Sequence, residues 1–390
     1  MDRSRLNIGT YYLRPYACTD EHIRDLKECG IDFVVCMQND RDHLDLLDRY
    51  EIGAIVSGIV PSSFLTDTYG DAAKREYNKA VNSFIDHPSV WGVDCGDEPS
   101  STEFKRYGDI IKSVGNDFHN KIPYVNLCPN YGILATCTPE ERYSQLGTCD
   151  YDEYIERFCE SVGTDYICYD FYLYSCNVNK AYENLCTVSD ACRRYGRSMW
   201  IVLQVNSHLP ESFISENMLR FQGFSAMAFG AENITWACYT AGWWYNQVLD
   251  EKGNKTEQYE KLKKVNGEIR ALSHEYMKYK CVKTHFIGFS DHDLPKGTKC
   301  SEPCRNISLS GEGKLLAGEM VLRNGTSKAL FIVGADDPYD KNGCKTVFTL
   351  KSEGAVKVLR SDGKIYDIPS QNGACSVEIM SNEAVMILNI

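Results

Sequence analysis

No apolar run in the 390-residue chain is long enough to span a bilayer, so a membrane partner is not expected, and the opening MDRSRLNIGT lacks the apolar core of a secretion signal. There is no basic block or arginine–lysine stripe. The 54 acidic and 42 basic residues leave a net charge of -12 spread along the chain, which argues against a nucleic-acid partner. No histidine pair accompanies the closest cysteines, Cys300 and Cys304, so their C-x3-C spacing reads as loop thiols or a local disulfide. Neither a metal nor an organic cofactor is therefore expected. A glycine-rich phosphate loop is also missing: GTYYLRPY follows the first strand-like segment, which disfavours a doubly wound nucleotide-binding sheet.

What the chain does have is ordinary for a soluble globular protein, with 43% hydrophobic and 25% charged residues. Its 18 cysteines are numerous. Cys36, Cys95, Cys128, Cys168 and Cys238 fall inside or at the ends of predicted buried strands, where a thiol behaves as a small hydrophobe. That placement favours a reducing, cytoplasmic setting. Four N-x-S/T triplets, at Asn233, Asn254, Asn306 and Asn324, keep secretion open.

From residue 5 to about 280, β-branched and aromatic runs alternate with amphipathic helical stretches, the pattern of βα units around a parallel sheet. Eight strands are predicted: RLNIGTYY, IDFVVCM, IGAIVSGIV, SVWGVDC, IPYVNL, DYICYDFY, MWIVLQV and NITWACY. In the helix between the third and fourth, Ala73, Tyr77, Ala80, Val81 and Phe84 share one face. Gly30, Gly163, Gly196 and Gly230 are expected as left-handed helix stops. Thr138 to Glu141 and Ser100 to Glu103 read as capping boxes that start helices.

Eight such units in this length predict a TIM (β/α)8 barrel over residues 1–279. Beyond Tyr279 the helical period stops. Runs such as ALFIVGA, KTVFTLK, AVKVLRSD, KIYDIPS and AVMILNI, separated by Gly, Asn and Asp turns, predict a C-terminal antiparallel β-sandwich over 280–390. That segment has no tryptophan, so packing against the barrel is a simpler role for it than binding sugar.

The stretch SVWGVDCGDEPSSTEF places Asp97 and Glu98 where the fourth strand gives way to a capped helix, the catalytic end of a barrel strand. An apolar approach and an adjacent carboxylate both raise a carboxyl pKa, which suits Glu98 to hold a proton near neutrality as a general acid. Glycoside hydrolysis needs such an acid, together with a second carboxylate or the substrate's own 2-acetamido group. Aromatic residues gather at the same strand ends: Tyr11, Tyr12, Tyr131, Tyr172, Tyr174, Trp243 and Trp244 could stack against sugar faces. Asn126, Gln204 and His208, also at strand ends, are candidates to bind hydroxyls of a carbohydrate.

The Asp-Glu-Pro of GDEP resembles the Asn-Glu-Pro motif of the (β/α)8 glycoside hydrolase clan A, with Asp97 in place of Asn. The resemblance implies that Glu98 is the acid/base. MLRFQGFSAMAFGAENITWACYT and VLDEKGNKTEQYEKLKKVNGEIRAL look like that clan's seventh helix, eighth strand and closing helix. The clan's nucleophilic Glu at the end of the seventh strand has no counterpart: MWIVLQVNSH offers Gln204, Asn206 and His208, while Glu232 precedes the eighth strand, at the opposite face. Two routes follow. Asp97 could orient a 2-acetamido group, as in substrate-assisted hexosaminidases such as glycoside hydrolase family 123, or Asp170, after the sixth strand, could be the second carboxylate. Substrate assistance, or Asp170 as nucleophile, retains configuration, whereas Asp170 as base to water inverts it. A barrel that binds carbohydrate without cleaving it is the alternative from a different class.

Overall fold

The computed structural model describes residues 1–57, 71–131, 138–240, 244–290, 293–294, 306–339, 343–388 and 390. Eight parallel strands form the central sheet: β1 (Asn7–Tyr11), β2 (Phe33–Met37), β3 (Gly53–Val56), β4 (Val90–Asp97), β5 (Ile122–Asn126), β6 (Tyr166–Phe171), β7 (Ser198–Gln204) and β8 (Ala231–Ala237). Their order, β5-β4-β3-β2-β1-β8-β7-β6, is that of a TIM barrel. It closes where Leu127, just past β5, bridges to Tyr169 of β6. Around it lie α1 (Asp20–Glu28), α2 (Arg41–Arg49), α3 (Asp71–Asn82), α4 (Phe104–Asp117), α5 (Pro139–Leu146), α6 (Tyr151–Ser161), α7 (Val178–Tyr195), α8 (Glu216–Ala228) and α9 (Glu257–Tyr276). Among the described residues no helix is long and apolar enough to cross a membrane.

Side-chain alternation splits the barrel into two apolar regions. Ile8, Val34, Ala54, Val93 and Ile167 face the helices. Phe33, Val35, Ile55, Tyr124, Tyr166, Trp200 and Val202 face inward and fill the barrel. Two glycines make room there: a Cβ on Gly9 would stand 2.2 Å from the Phe33 ring, and one on Gly53 2.1 Å from the Trp91 indole. The Phe33 and Trp91 rings then stack at 5.7 Å and those of Tyr166 and Trp200 at 4.2 Å, plugging the lower barrel. Beneath that plug, buried Asp32 takes Arg5 at 2.9 Å, Arg270 at 2.7 Å and the Ile8 N–H at 2.9 Å, a closed electrostatic knot.

Both expected capping boxes form, Ser100 with Glu103 and Thr138 with Glu141. Gly30, Gly196 and Gly230 have positive φ. Gly163 does not, because Val162 in extended conformation already ends α6 and the chain needs no left-handed step. Tyr77, Val81 and Phe84 are buried, but Ala80 is exposed, since its face of α3 turns from the barrel. Ala73, Val60 at the end of the third predicted strand, Cys300 and Cys304 carry no description here, their side chains or positions lying outside the described residues. Every cysteine among the described residues is free.

The C-terminal part is an antiparallel sandwich. A six-stranded sheet joins β9 (Tyr279–Ile287), β11 (Leu315–Leu322), β12 (Lys328–Gly334), β14 (Val356–Arg360), β15 (Ile365–Ile368) and β17 (Ala384–Leu388). A three-stranded sheet holds β10 (Ile307–Leu309), β13 (Lys345–Lys351) and β16 (Ala374–Met380). Along β12, Ala329, Phe331 and Val333 pack toward the barrel helices, whereas Leu330 and Ile332 enter the sandwich core. Phe331 meets Tyr276 edge-on at 5.3 Å, and a Cβ on Gly318 would stand 2.4 Å from the Ala228 carbonyl oxygen, so sheet and α8 touch directly. Arg323 reaches back to Glu232, which also accepts from Ser198 at 2.7 Å. Glu232 is thus held at the N-terminal end of β8, away from the mouth.

Candidate active site

Adjacent residues of a strand point to opposite faces, so two neighbouring carboxylates should not share a cavity. Strand β4 evades this. Its register with β5 slips between Asp94 and Gly96, a bulge that adds one residue and leaves Asp97 opposite Asn126. A Cβ on Gly96 would stand 2.4 Å from the Tyr107 ring, so the bulge needs glycine. Glu98 then takes φ 47°, a left-handed conformation uncommon for a glutamate, with its N–H on the Asn126 carbonyl at 2.8 Å. Such an outlier at a strand end is a hallmark of sites where geometry is imposed by function.

Asn126 is the centre of the mouth. Its buried amide donates to Asp97 Oδ1 at 3.1 Å and to Asp170 Oδ1 at 3.0 Å, tying β4 to β6 through β5. Its Oδ1 accepts from the Cys168 thiol at 3.4 Å. The Glu98 and Asp170 carboxyls lie close enough to act on each other, the Glu98 charge raising Asp170. Gln145 of α5 approaches Glu98 Oε2 at 3.5 Å.

Burial foremost, and the Asp97 charge next, push Glu98 up to about 7 against the hydrogen bonds from Asp170 and Gln145. Burial, then the charges of Glu98 and Asp97, hold Asp170 well above the usual carboxylate range. Asp97 is open to solvent at the rim, yet the groups packed around its carboxyl raise its pKa, with the Asn126 bond opposing. A fourth acid, Asp94, also lies here; burial and then the Asp97 charge push it up to about 7. Among the described residues none of the four forms an ion pair with a Lys, Arg or His, and no group of three or more His, Cys, Asp or Glu is placed to hold a metal ion.

The other expected site residues are spread over this mouth in different roles. Tyr11 is buried and forms its floor, its hydroxyl bonded to that of Tyr124 at 3.0 Å. Tyr12, half-buried with φ 73°, lies under the Arg14 guanidinium at 4.6 Å. Tyr131 is buried beside the acids and accepts the Tyr172 N–H at 3.3 Å. Tyr172 meets Trp244 edge-on at 4.5 Å, and Trp244 meets exposed His208 at 6.0 Å, so these three form an aromatic wall. Trp243 lies outside the described residues.

Gln204 departs from the expected hydroxyl-binding role. It is fully buried, accepting from the Tyr174 N–H at 2.9 Å and donating to Ser175 Oγ and the Asn206 carbonyl, because the turn after β6 needs its backbone groups satisfied. Tyr174 is likewise engaged, donating to the Met218 and Pro338 carbonyls where barrel and sandwich meet. Sequence reasoning missed Asp94, Cys36, Tyr124 and Gln145. Asp94 had a readable signal, a carboxylate inside an otherwise apolar strand close to its mouth end; Gln145, on a distant helix, had none.

A parallel (β/α)8 barrel with a C-terminal sandwich and an acid-lined mouth at the strand ends defines the class. The fold is similar to that of a solved glycoside hydrolase, at 12% identity over 98% of this chain and 92% of that one, with a TM-score of 0.55. It is also similar to a Bacteroides thetaiotaomicron protein provisionally assigned as an alpha-L-fucosidase, at 12% identity over 67% of this chain and 94% of that one, with a TM-score of 0.50. At such identities the likeness is one of fold. No protein-family model and no curated protein matches the sequence.

Proposed function

We propose that the protein is a glycoside hydrolase that cleaves N-acetylhexosaminides with retention, with Glu98 as general acid/base, Asp97 directing the substrate's 2-acetamido group, and Asp170 positioning Glu98. The carrying observation is the grouping of Glu98, Asp97 and enclosed Asp170 around Asn126, in which burial and then the Asp97 charge push Glu98 up to about 7. Burial, and then the charges of Glu98 and Asp97, hold Asp170 well above the usual carboxylate range, so it keeps a proton where a nucleophile must be ionised, and the nucleophile is taken from the substrate. Asp97 adjoins Glu98, faces the same mouth and is anchored through one oxygen by Asn126, which leaves the other to accept an acetamido N–H.

In the first step Glu98 gives its proton to the glycosidic oxygen. The bond from that oxygen to the anomeric carbon breaks as the acetamido oxygen bonds to the same carbon, and Asp97 takes the N–H proton. The carboxylate left on Glu98 accepts hydrogen bonds from protonated Asp170 and from Gln145. In the second step Glu98 removes a proton from water, whose oxygen attacks the anomeric carbon from the vacated face. The ring opens, Asp97 returns the proton to nitrogen, and configuration is retained.

The test is a panel of aryl glycosides with and without a 2-acetamido group, assayed with a thiazoline inhibitor. Cleavage confined to acetamido sugars and blocked by the thiazoline supports the reading. Equal cleavage of sugars lacking the group returns the nucleophile to a protein carboxylate; no cleavage, with sugars still raising the melting temperature, leaves a binding barrel.

A further inference from the structure

Asp94 is not explained by the chemistry above, nor by stability. Its neighbours Val93 and Cys95 are fully buried against the helices, while Asp94 points into the barrel, half-buried and reachable from the mouth. Its partners are weak: the Gly96 N–H at 3.1 Å and the Cys36 thiol at 3.7 Å. A carboxylate in such surroundings without a cation is costly, and a structural role here would be met at lower cost by Asn or Ser. Cys36 is itself held at φ 58°, which aims its thiol from β2 at Asp94. Cys36 packs against the inner barrel cluster that holds Tyr11 and Tyr124, whose hydroxyls bond to each other at 3.0 Å, with Tyr124 also bonded to the Cys168 thiol at 3.3 Å.

The mouth therefore carries two groups of side chains. Asp97, Glu98 and Asp170 occupy one; Asp94 and Cys36 occupy the other. Asp94 and Asp97 are three residues apart on one strand, so their Cα atoms are separated by at most roughly 10 Å at the usual strand rise. That is the reach of one pyranose ring. A ring with its anomeric carbon at Glu98 and its C2 substituent at Asp97 would leave other ring hydroxyls within reach of Asp94. Resting on the reading of the mouth as a glycosidase site, we propose that Asp94, assisted by Cys36, is a specificity-determining residue that accepts ring hydroxyls of the glycone.

The experiment compares wild type, Asp94→Ala and Asp94→Asn on 4-methylumbelliferyl N-acetyl-β-D-glucosaminide and galactosaminide and on their 3-, 4- and 6-deoxy analogues. Leaving a hydroxyl-binding site unpaired predicts a kcat/KM loss of about 10²-fold for Asp94→Ala on the full sugar. Removing the hydroxyl that Asp94 holds should cost wild type a similar factor, and on that analogue the variant should lose no more than roughly threefold further. Asp94→Asn, which keeps one acceptor and the same shape, should fall between and show an unchanged fold by circular dichroism. Losses that multiply across every analogue, or an Asp94→Ala protein within about threefold of wild type, overturn the proposal. If wild type cleaves neither glycoside, the hexosaminidase reading fails separately, and titration with free N-acetylglucosamine, N-acetylgalactosamine, glucose, galactose and fucose decides for Asp94. Binding to wild type that Asp94→Ala abolishes upholds the assignment, whereas equal binding, or none, refutes it.

Discussion

Replacing Glu98 with Gln should abolish activity and at the same time stabilise the protein at alkaline pH. Below about pH 4.5 an ordinary glutamate is protonated in both the folded and the unfolded chain, so variant and wild type should melt together. Between about pH 4.5 and 7 the unfolded chain releases this proton while the folded chain, with Glu98 raised to about 7, retains it. The folded state then binds more protons, and wild-type stability falls as pH rises. Above about pH 7 the penalty is complete. At about 1.36 kcal/mol per pH unit the elevation corresponds to no more than roughly 3 kcal/mol, and partial exposure brings the expected gain to about 1–2 kcal/mol. With an unfolding entropy of about 2.1 cal/mol/K per residue over the whole chain, this is a rise of roughly 1–3 °C at pH 8. The glutamine carbonyl can still accept from Gln145, so that bond is not forfeited. Melting curves from pH 4 to 8.5 provide the assay. A melting temperature that drops at pH 8, or an offset that is the same at pH 4.5 and 8, would refute the placement of a strained, proton-holding carboxyl at this position.

Four further outcomes are expected. The kcat/KM of wild type on substrates with poor leaving groups should decline above about pH 7 as Glu98 loses its proton, and Asp97→Asn should move that limb to lower pH because the Asp97 charge helps to raise Glu98. Asp97→Ala should lower kcat on acetamido sugars by about 10²- to 10³-fold and weaken thiazoline binding, measured by inhibition titration. Asn126→Ala removes the donor shared by Asp97 and Asp170, so both carboxyls should titrate higher and urea unfolding at pH 8 should show a loss of about 1–3 kcal/mol. Gly53→Ala, whose Cβ would enter the Trp91 ring, should cost about 1–3 kcal/mol or more by the same measurement.

The eight barrel strands were legible because each is a short β-branched or aromatic run between a capped helix and a turn. The sandwich was less so. Strand β11, LLAGEMVL, packs toward the barrel through Leu316 and Met320 and into the sandwich core through Leu315 and Ala317, so it lacks the one-sided alternation that marks a half-exposed strand. Strand β9, YKCVKTHFI, is a charged edge, and its pairing with β11 alone makes it a strand. At the mouth, Glu98, Asp97 and Asp170 were readable from strand ends. The bulge at Gly96 was not, because a bulge exists only relative to its partner strand, and the β5 register cannot be seen in the residues of β4. Gln204 misled for a related reason: a polar residue at a strand end signals either a ligand contact or a loop that needs bracing, and only the position of Tyr174 decides between them.

The two halves of the mouth divide the labour. At the end of β7, Asn206 accepts the Cys238 N–H through Oδ1 at 2.9 Å, so the place where the clan-A likeness would put a nucleophile is used to clamp β7 to the segment after β8. The zipper continues with Ser207 and Tyr245, which exchange backbone hydrogen bonds at 2.8 and 2.9 Å and set Trp244 against Tyr172. This half supplies a wall of rings and no charge. The half from β4 to β6 supplies all four carboxyls, and one amide, Asn126, sets the spacing of two of them. Burial foremost, and neighbouring charges next, raise Glu98, Asp170 and Asp94, while burial raises Asp97 against its Asn126 bond; this is destabilising for the fold but keeps a proton on Glu98 at the pH where an ordinary glutamate would have lost it. The general acid gains directly from that arrangement, since it must still hold its proton when the glycosidic oxygen arrives.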